Sequence, residues 1–122
     1  MAKRVFLIDD EKEFTELTGA YLSLHGMEVE SSNDPEEALA LLKERPFDAV
    51  VVDLMMFPVD GFTVLRRLRS LPAYAATPVF VLSAKTLSYE ERKELLAMGI
   101  QFLAKPFRPR NLLQRIQGEA SS

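Results

Sequence analysis

The chain has 122 residues, 48% of them hydrophobic, with 15 basic and 18 acidic side chains and a net charge of −3. One compact domain matches that length and apolar content, so a single domain is expected over 1–122, with a core from about 3 to 117 and a frayed tail at 118–122. With no cysteine there is neither a disulfide framework nor a thiolate metal site. No apolar run approaches the ~20 residues of a membrane span, and MAKRVFLIDD reaches acidic residues too early for a signal peptide. A mixed, mildly acidic charge balance argues against a basic nucleic-acid surface. The expectation is a cytoplasmic chain with no membrane insertion and no direct nucleic-acid contact.

Strand-like and helix-like segments alternate five times. Arg4–Asp9 is an apolar, partly β-branched run suited to a buried parallel strand, and Phe14, Leu17, Thr18, Tyr21 and Leu22 follow at helical spacing until Gly26. Met27–Ser31 alternates like a shorter strand. Asp34-Pro35-Glu36-Glu37 then supplies an N-cap, a proline at the first helical position and a capping-box acid. That second helix turns Ala38, Leu39, Leu41 and Leu42 inward and stops before Pro46. Asp48–Asp53, with its AVVV core, is expected at the centre of the sheet. Phe62, Val64, Leu65 and Leu68 mark a third helix, and Pro78–Leu82 a fourth strand. Ser88-Tyr89-Glu90-Glu91 opens a fourth helix with a second capping box, and Gly99 closes it. Ile100–Leu103 is a short fifth strand, and Pro109 starts a last helix with Leu112, Leu113 and Ile116 facing the core. Arg66, Arg67 and Arg69 are expected on a solvated helix face. His25 precedes Gly26 at a helix end, where a cation meets the dipole favourably, and has no catalytic role in this reading.

Five βα units imply an α/β fold: a flavodoxin-like, doubly wound parallel sheet with strand order 2-1-3-4-5. In such a sheet the ligand crevice lies beyond the carboxyl ends of the strands, where the winding reverses between the first and third. Asp9, Asp10 and Asp53 stand at those ends. Ser83 ends the fourth apolar run and Lys105-Pro106 the fifth. Three carboxylates with a hydroxyl and an ammonium suit Mg²⁺ and a phosphoryl group: hard oxygens for the metal, a donor and a charge for phosphoryl oxygens.

From Asp9-Asp10, through Asp53 with Asp60-Gly61 after it, to Ser83-Ala84 and Lys105-Pro106-Phe107, the chain resembles a receiver domain of bacterial two-component response regulators, in particular the single-domain chemotaxis type. The resemblance implies that Asp53 is the phosphoacceptor, taking a phosphoryl group from a phosphohistidine on a sensor histidine kinase or histidine phosphotransfer protein. It implies Mg²⁺ held by Asp10 directly, by Asp9 mostly through water, by Asp53 and by the Met55 backbone carbonyl. Ser83 and Lys105 would serve the phosphoryl oxygens, and no other cofactor is implied. Ser83 and Phe102 would form the switch, with Ser88–Met98, Ile100–Leu103 and Arg108–Gln117 as the surface offered to a downstream protein and, on phosphorylation, to a second copy in a dimer. Phe102 has no hydroxyl to strand on burial. Lys105-Pro106 is implied as a cis step. The chain would be a phosphoacceptor switch and not an enzyme, supporting only its own phosphorylation and slow self-dephosphorylation.

Three positions bear on that likeness. The family usually carries proline four residues after the phosphoacceptor, where this chain has Phe57 followed by Pro58; Phe57 either meets a partner or packs against the third helix. Met55 and Lys85 occupy the places where the family tunes hydrolysis, and apolar Met55 has no means of holding the attacking water. Among other classes, a dehalogenase-type phosphohydrolase expects an Asp at Met55 and a longer chain. A nucleotide or flavin binder expects a Gly- or Ser/Thr-rich loop where DDEKEF stands. A phosphorylation-independent interaction module on the same fold is the remaining alternative.

Overall fold

A computed structural model describes residues 3–54, 61–84, 86–105 and 107–121, the side chains of 119–121 excepted. Five strands, β1 (Arg4–Ile8), β2 (Glu28–Ser32), β3 (Ala49–Asp53), β4 (Val79–Ser83) and β5 (Gln101–Ala104), form one parallel sheet in the order β2-β1-β3-β4-β5. Five helices connect and follow them: α1 (Lys12–Leu24), α2 (Pro35–Glu44), α3 (Gly61–Ser70), α4 (Tyr89–Ala97) and α5 (Pro109–Ser121). This is the expected doubly wound topology.

Strand burial explains the order. All five residues of β3 and of β4 are buried, as a strand covered on both faces requires, whereas the edge strands β2 and β5 are each buried at one residue only and partly or fully exposed at the rest. Pleating divides the core in two. Phe6, Ile8, Val50, Val52, Val79 and Val81 pack with Ala38, Leu39, Leu42, Phe62, Val64, Leu65, Leu68 and Leu95 from α2, α3 and α4. Val5, Leu7, Ala49, Val51, Phe80 and Leu82 pack with Leu22 of α1 and Leu112, Leu113 and Ile116 of α5. Each fully buried valine or leucine contributes roughly 1.5–3 kcal/mol of transfer free energy.

Local signals explain most element ends. Gly26 and Gly99 have φ of 89° and 65°, the left-handed conformation that lets the chain leave α1 and α4. Ser88 and Glu91 form the reciprocal capping box expected for α4. At α2 only half of the expected box forms. Asp34 accepts from Glu36 N at 3.1 Å, but Glu37 accepts from the Ser32 hydroxyl, and that hydroxyl oxygen accepts from Asp34 N. Buried Ser32, at the end of an edge strand, takes the role assigned to Glu37.

Other boundaries differ from the sequence expectation. β2 lies one residue later, at Glu28–Ser32, because its register is set by Val29 opposite Val5. The end residues Asp9, Asp48, Pro78 and Ile100 fall outside their strands, while Ser83 and Ala104 fall inside. Pro72–Tyr74 makes an unpredicted 3₁₀ turn, fixed by the buried Tyr74 hydroxyl donating to Leu42 O at 2.8 Å and Arg45 O at 2.7 Å. α5 continues past Gln117 to Ser121. Leu17, one of the residues at helical spacing, is 65% exposed, and α1 buries Thr15, Thr18, Gly19 and Leu22.

Arg66 and Arg67 are exposed, as expected of a solvated helix face, while Arg69 is half-buried. Arg66 pairs with Glu94 of α4 and Arg67 with Glu36 of α2, both as two-pronged contacts. Half-buried Arg69 donates to the carbonyls of Met98 (2.9 Å), Tyr74 (2.8 Å), Thr77 (2.7 Å) and Gly99 (3.3 Å). It thereby ties the start of β4 to the end of α4. His25 is exposed and its ring meets that of Tyr21 at a 44° tilt, with centroids 4.5 Å apart.

Candidate functional site

The site forms where β1, β3, β4 and β5 reach their carboxyl ends. β1 hands the chain to Asp9 one residue beyond Ile8, Asp53 and Ser83 are the last residues of β3 and β4, and Lys105 follows Ala104. Parallel pairing holds these ends level. Leu54 N donates to Leu82 O at 2.9 Å, and Lys105 N donates to Ser83 O at 2.8 Å, so each turn is tied to its neighbouring strand as it leaves the sheet. Among the described residues, Asp9, Asp10 and Asp53 bring carboxylate oxygens within 4.8 Å of one another, with Asp9 and Asp53 buried and Asp10 exposed. Lys105 reaches in from the β5 side, its Nζ 3.5 Å from both Asp9 Oδ2 and Asp53 Oδ2.

Two carboxylates under one ammonium leave a charge imbalance in a water-poor place. Asp9 is 1% exposed; its Oδ1 accepts from Glu11 N at 2.8 Å, whereas its buried Oδ2 has no hydrogen-bond donor among the described residues. Burial pushes the Asp9 carboxyl up from 3.8 to about 7, with the Asp53 charge adding to the rise and the Glu11 N–H and Lys105 opposing it. Desolvation is thus a larger contribution than repulsion by the neighbouring Asp53 charge. An orphaned buried oxygen and two further carboxylates, all hard donors, fit a small divalent cation of the Mg²⁺ type.

Most of the predicted residues therefore converge: Asp9, Asp10, Asp53 and Lys105 in one cluster, and Ser83, fully buried, at the strand end bonded to Lys105. Phe102 lies away from them. It pairs in register with Val81, is half-buried against the α2–α4 face of the core, and lines a groove of about 420 Å³ with Leu87, Leu95, Ile100 and Arg115. Met55, Phe57, Pro58 and Asp60, together with Lys85 and the Lys105-Pro106 step, lie outside the described residues.

Two neighbours of the acids escape a reading by sequence. Asn33 Nδ2 donates to Asp9 O at 2.7 Å and to Thr15 Oγ1 at 3.3 Å, clamping the acidic turn to the start of α1. The adjacency of β2 and β1 is the signal that would have found it. The other is Phe14, one of the α1 residues at helical spacing, half-buried against the core. Its ring lies 4.6 Å from Lys105 Nζ and meets Phe107 edge-on at 5.9 Å.

Comparisons with known proteins agree with this geometry. The model of the response regulator receiver domain matches residues 5–117. The transcriptional regulatory protein TrcR of Mycobacterium tuberculosis is 34% identical over 115 residues, 94% of this chain and 44% of TrcR. Response regulator MprA of a Mycobacterium species is 37% identical over 117 residues, 96% of this chain and 50% of MprA. The chain thus spans about half the length of these curated relatives. Among solved structures, the chemotaxis response regulator CheY4 of Vibrio cholerae superposes with a TM-score of 0.87 at 32% identity, covering 97% of this chain and 98% of that one. With the family model spanning nearly every strand and helix of the sheet, the chain belongs to the response regulator receiver domain family.

Proposed function

We propose that residues 1–122 act as one receiver unit in which Asp53 accepts a phosphoryl group from a phosphohistidine on a sensor histidine kinase or histidine phosphotransfer protein. The observation that carries this reading is the placement of Lys105 Nζ 3.5 Å from a carboxylate oxygen of both Asp53 and Asp9, at the crevice of the sheet. A carboxylate oxygen of Asp53 attacks phosphorus, the P–O bond forms as the P–N bond to the donor imidazole breaks, and the imidazole leaves with the electron pair of that bond. Asp53 is already an anion, so no general base is required. Phosphoryl transfer is helped chiefly by positioning and charge. Lys105 offers an ammonium to a phosphoryl oxygen, and Ser83 offers a hydroxyl from the adjacent strand end.

Asp9, Asp10, Asp53 and the Met55 carbonyl would hold Mg²⁺, which when bound supplies the positive charge that lets an anionic phosphoryl group approach three acids. The acceptor is the protein's own side chain, so the chemistry is stoichiometric and the chain works as a switch. Met55 has no strong donor or acceptor to hold a hydrolytic water, which favours slow loss of the phosphoryl group.

The new phosphoryl charge biases Ser83, and the Lys105 N–Ser83 O bond links that residue to the end of β5. Phe102 and the 420 Å³ groove between α4 and α5 belong to the face we assign to a downstream protein or to a phosphorylation-linked second copy. A histidine kinase as donor implies the cytoplasm; among the described residues no helix is long and apolar enough to cross a membrane. The reading is tested by treating the phosphorylated protein with borohydride, which reduces an acyl phosphate to an alcohol. Homoserine at position 53 is expected; an intact Asp53 with modification elsewhere would overturn the assignment.

A further inference from the structure

Among the described residues, the Lys105 ammonium faces two carboxylates and an aromatic ring. Asp9 and Asp53 each approach Nζ at 3.5 Å, too far for a short charge-assisted hydrogen bond, while the Phe14 ring centroid lies at 4.6 Å on the α1 side. Phe14 is itself held: half-buried at the start of α1, it packs edge-on against Phe107. Both carboxylates belong to the acid cluster suited to a divalent cation. Once that charge is neutralised their pull on Lys105 weakens, and a nearby doubly positive ion repels the ammonium. The attraction of an aromatic face does not depend on either acid being free.

We propose that Phe14 is a positioning residue for phosphoryl transfer, holding the Lys105 ammonium over its ring so that it stays beside Asp53 when the acids are engaged. This rests on the proposed role of Asp53 and Lys105. Phe14→Leu keeps an apolar side chain in the same place and removes the aromatic face; Phe14→Tyr keeps the face.

Two readouts test it. In NMR spectra the Lys105 ε-protons of the parent are shifted upfield by the ring, with and without Mg²⁺; the shift is lost in Phe14→Leu and kept in Phe14→Tyr. With acetyl phosphate and Mg²⁺, Phe14→Leu is phosphorylated about 3- to 10-fold more slowly than the parent, and Phe14→Tyr within about 2-fold of it. In a Lys105→Met background the change Phe14→Leu has no further effect, which a merely structural role for the ring would not produce. A parent that takes up no phosphoryl group overturns the functional reading and this proposal with it. A parent phosphorylated no faster than Phe14→Leu, or an equal slowing by Phe14→Leu in the Lys105→Met background, overturns this proposal alone.

Discussion

Asp9→Asn should make the metal-free protein more stable at pH 8 and leave it nearly unchanged at pH 4. The Asp9 carboxyl titrates near 3.8 when solvated and at about 7 in the fold, chiefly because it is buried. Its folded pKa is raised, so the native state binds the extra proton. The stability this contributes is complete below about pH 3.8 and is lost as the pH rises through about 7. A displacement of about 3 units at ~1.4 kcal/mol per unit sets a ceiling of ~4 kcal/mol for the burden of an ionised Asp9 above neutral pH. Attraction to Lys105 is already contained in that figure. Asparagine keeps an Oδ1 to accept from Glu11 N, leaves Asp53 as the counter-ion of Lys105, and never ionises. We therefore expect Asn to stabilise by ~2–4 kcal/mol at pH 8 and by less than ~0.5 kcal/mol at pH 4, measured by urea unfolding with far-UV circular dichroism in EDTA. Millimolar Mg²⁺ should reverse the ranking at pH 8, because a ligand that binds only the folded parent stabilises it by mass action. An equal difference at both pH values, or a less stable Asn variant at pH 8 without metal, would refute the reasoning.

Arg69→Met retains the aliphatic stem but leaves the carbonyls of Tyr74, Thr77, Met98 and Gly99 without this donor, and should cost ~2–3 kcal/mol in urea unfolding; a change below ~0.5 kcal/mol would show the clamp to be incidental. Gly61→Ala would place a methyl group against the Leu54 carbonyl oxygen and within 2.7 Å of Leu54 Cα and carbonyl carbon, backbone held at the end of β3. It should cost ~2–4 kcal/mol and slow phosphorylation of the adjoining Asp53, read by thermal melting and by mass; parental behaviour in both would count against the close approach.

How far the sequence could be read depended on the range of each signal. AVVV at Ala49–Val52 is continuous and β-branched because β3 is covered on both faces, and all four residues are buried. Asp9, Asp53 and Lys105 were legible as a site because each ends or follows an apolar run, and parallel strands bring such ends to one edge of the sheet. Contacts between elements were not legible. Arg69 looks like any basic residue on a helix, and only the path from Tyr74 to Thr77 and the end of α4 gives it four carbonyls. Leu17 and Phe14 share a helical period, yet Leu17 is exposed while Phe14 packs on Phe107 beside Lys105. Glu37 lost its capping partner to Ser32, a residue of the preceding strand. Periodicity reports which face is covered on average; it does not report what lies opposite.

Intact-mass measurement after incubation with acetyl phosphate tests the central claim most directly, run on the parent, on Asp53→Asn, and on the parent in EDTA. The account predicts a gain of one phosphoryl group in the parent with Mg²⁺ and none in either control. A gain that persists in Asp53→Asn or in EDTA, or no gain in a parent shown separately to bind Mg²⁺, would contradict it. With no gain at all, a phosphorylation-independent interaction module would be the better reading of this fold.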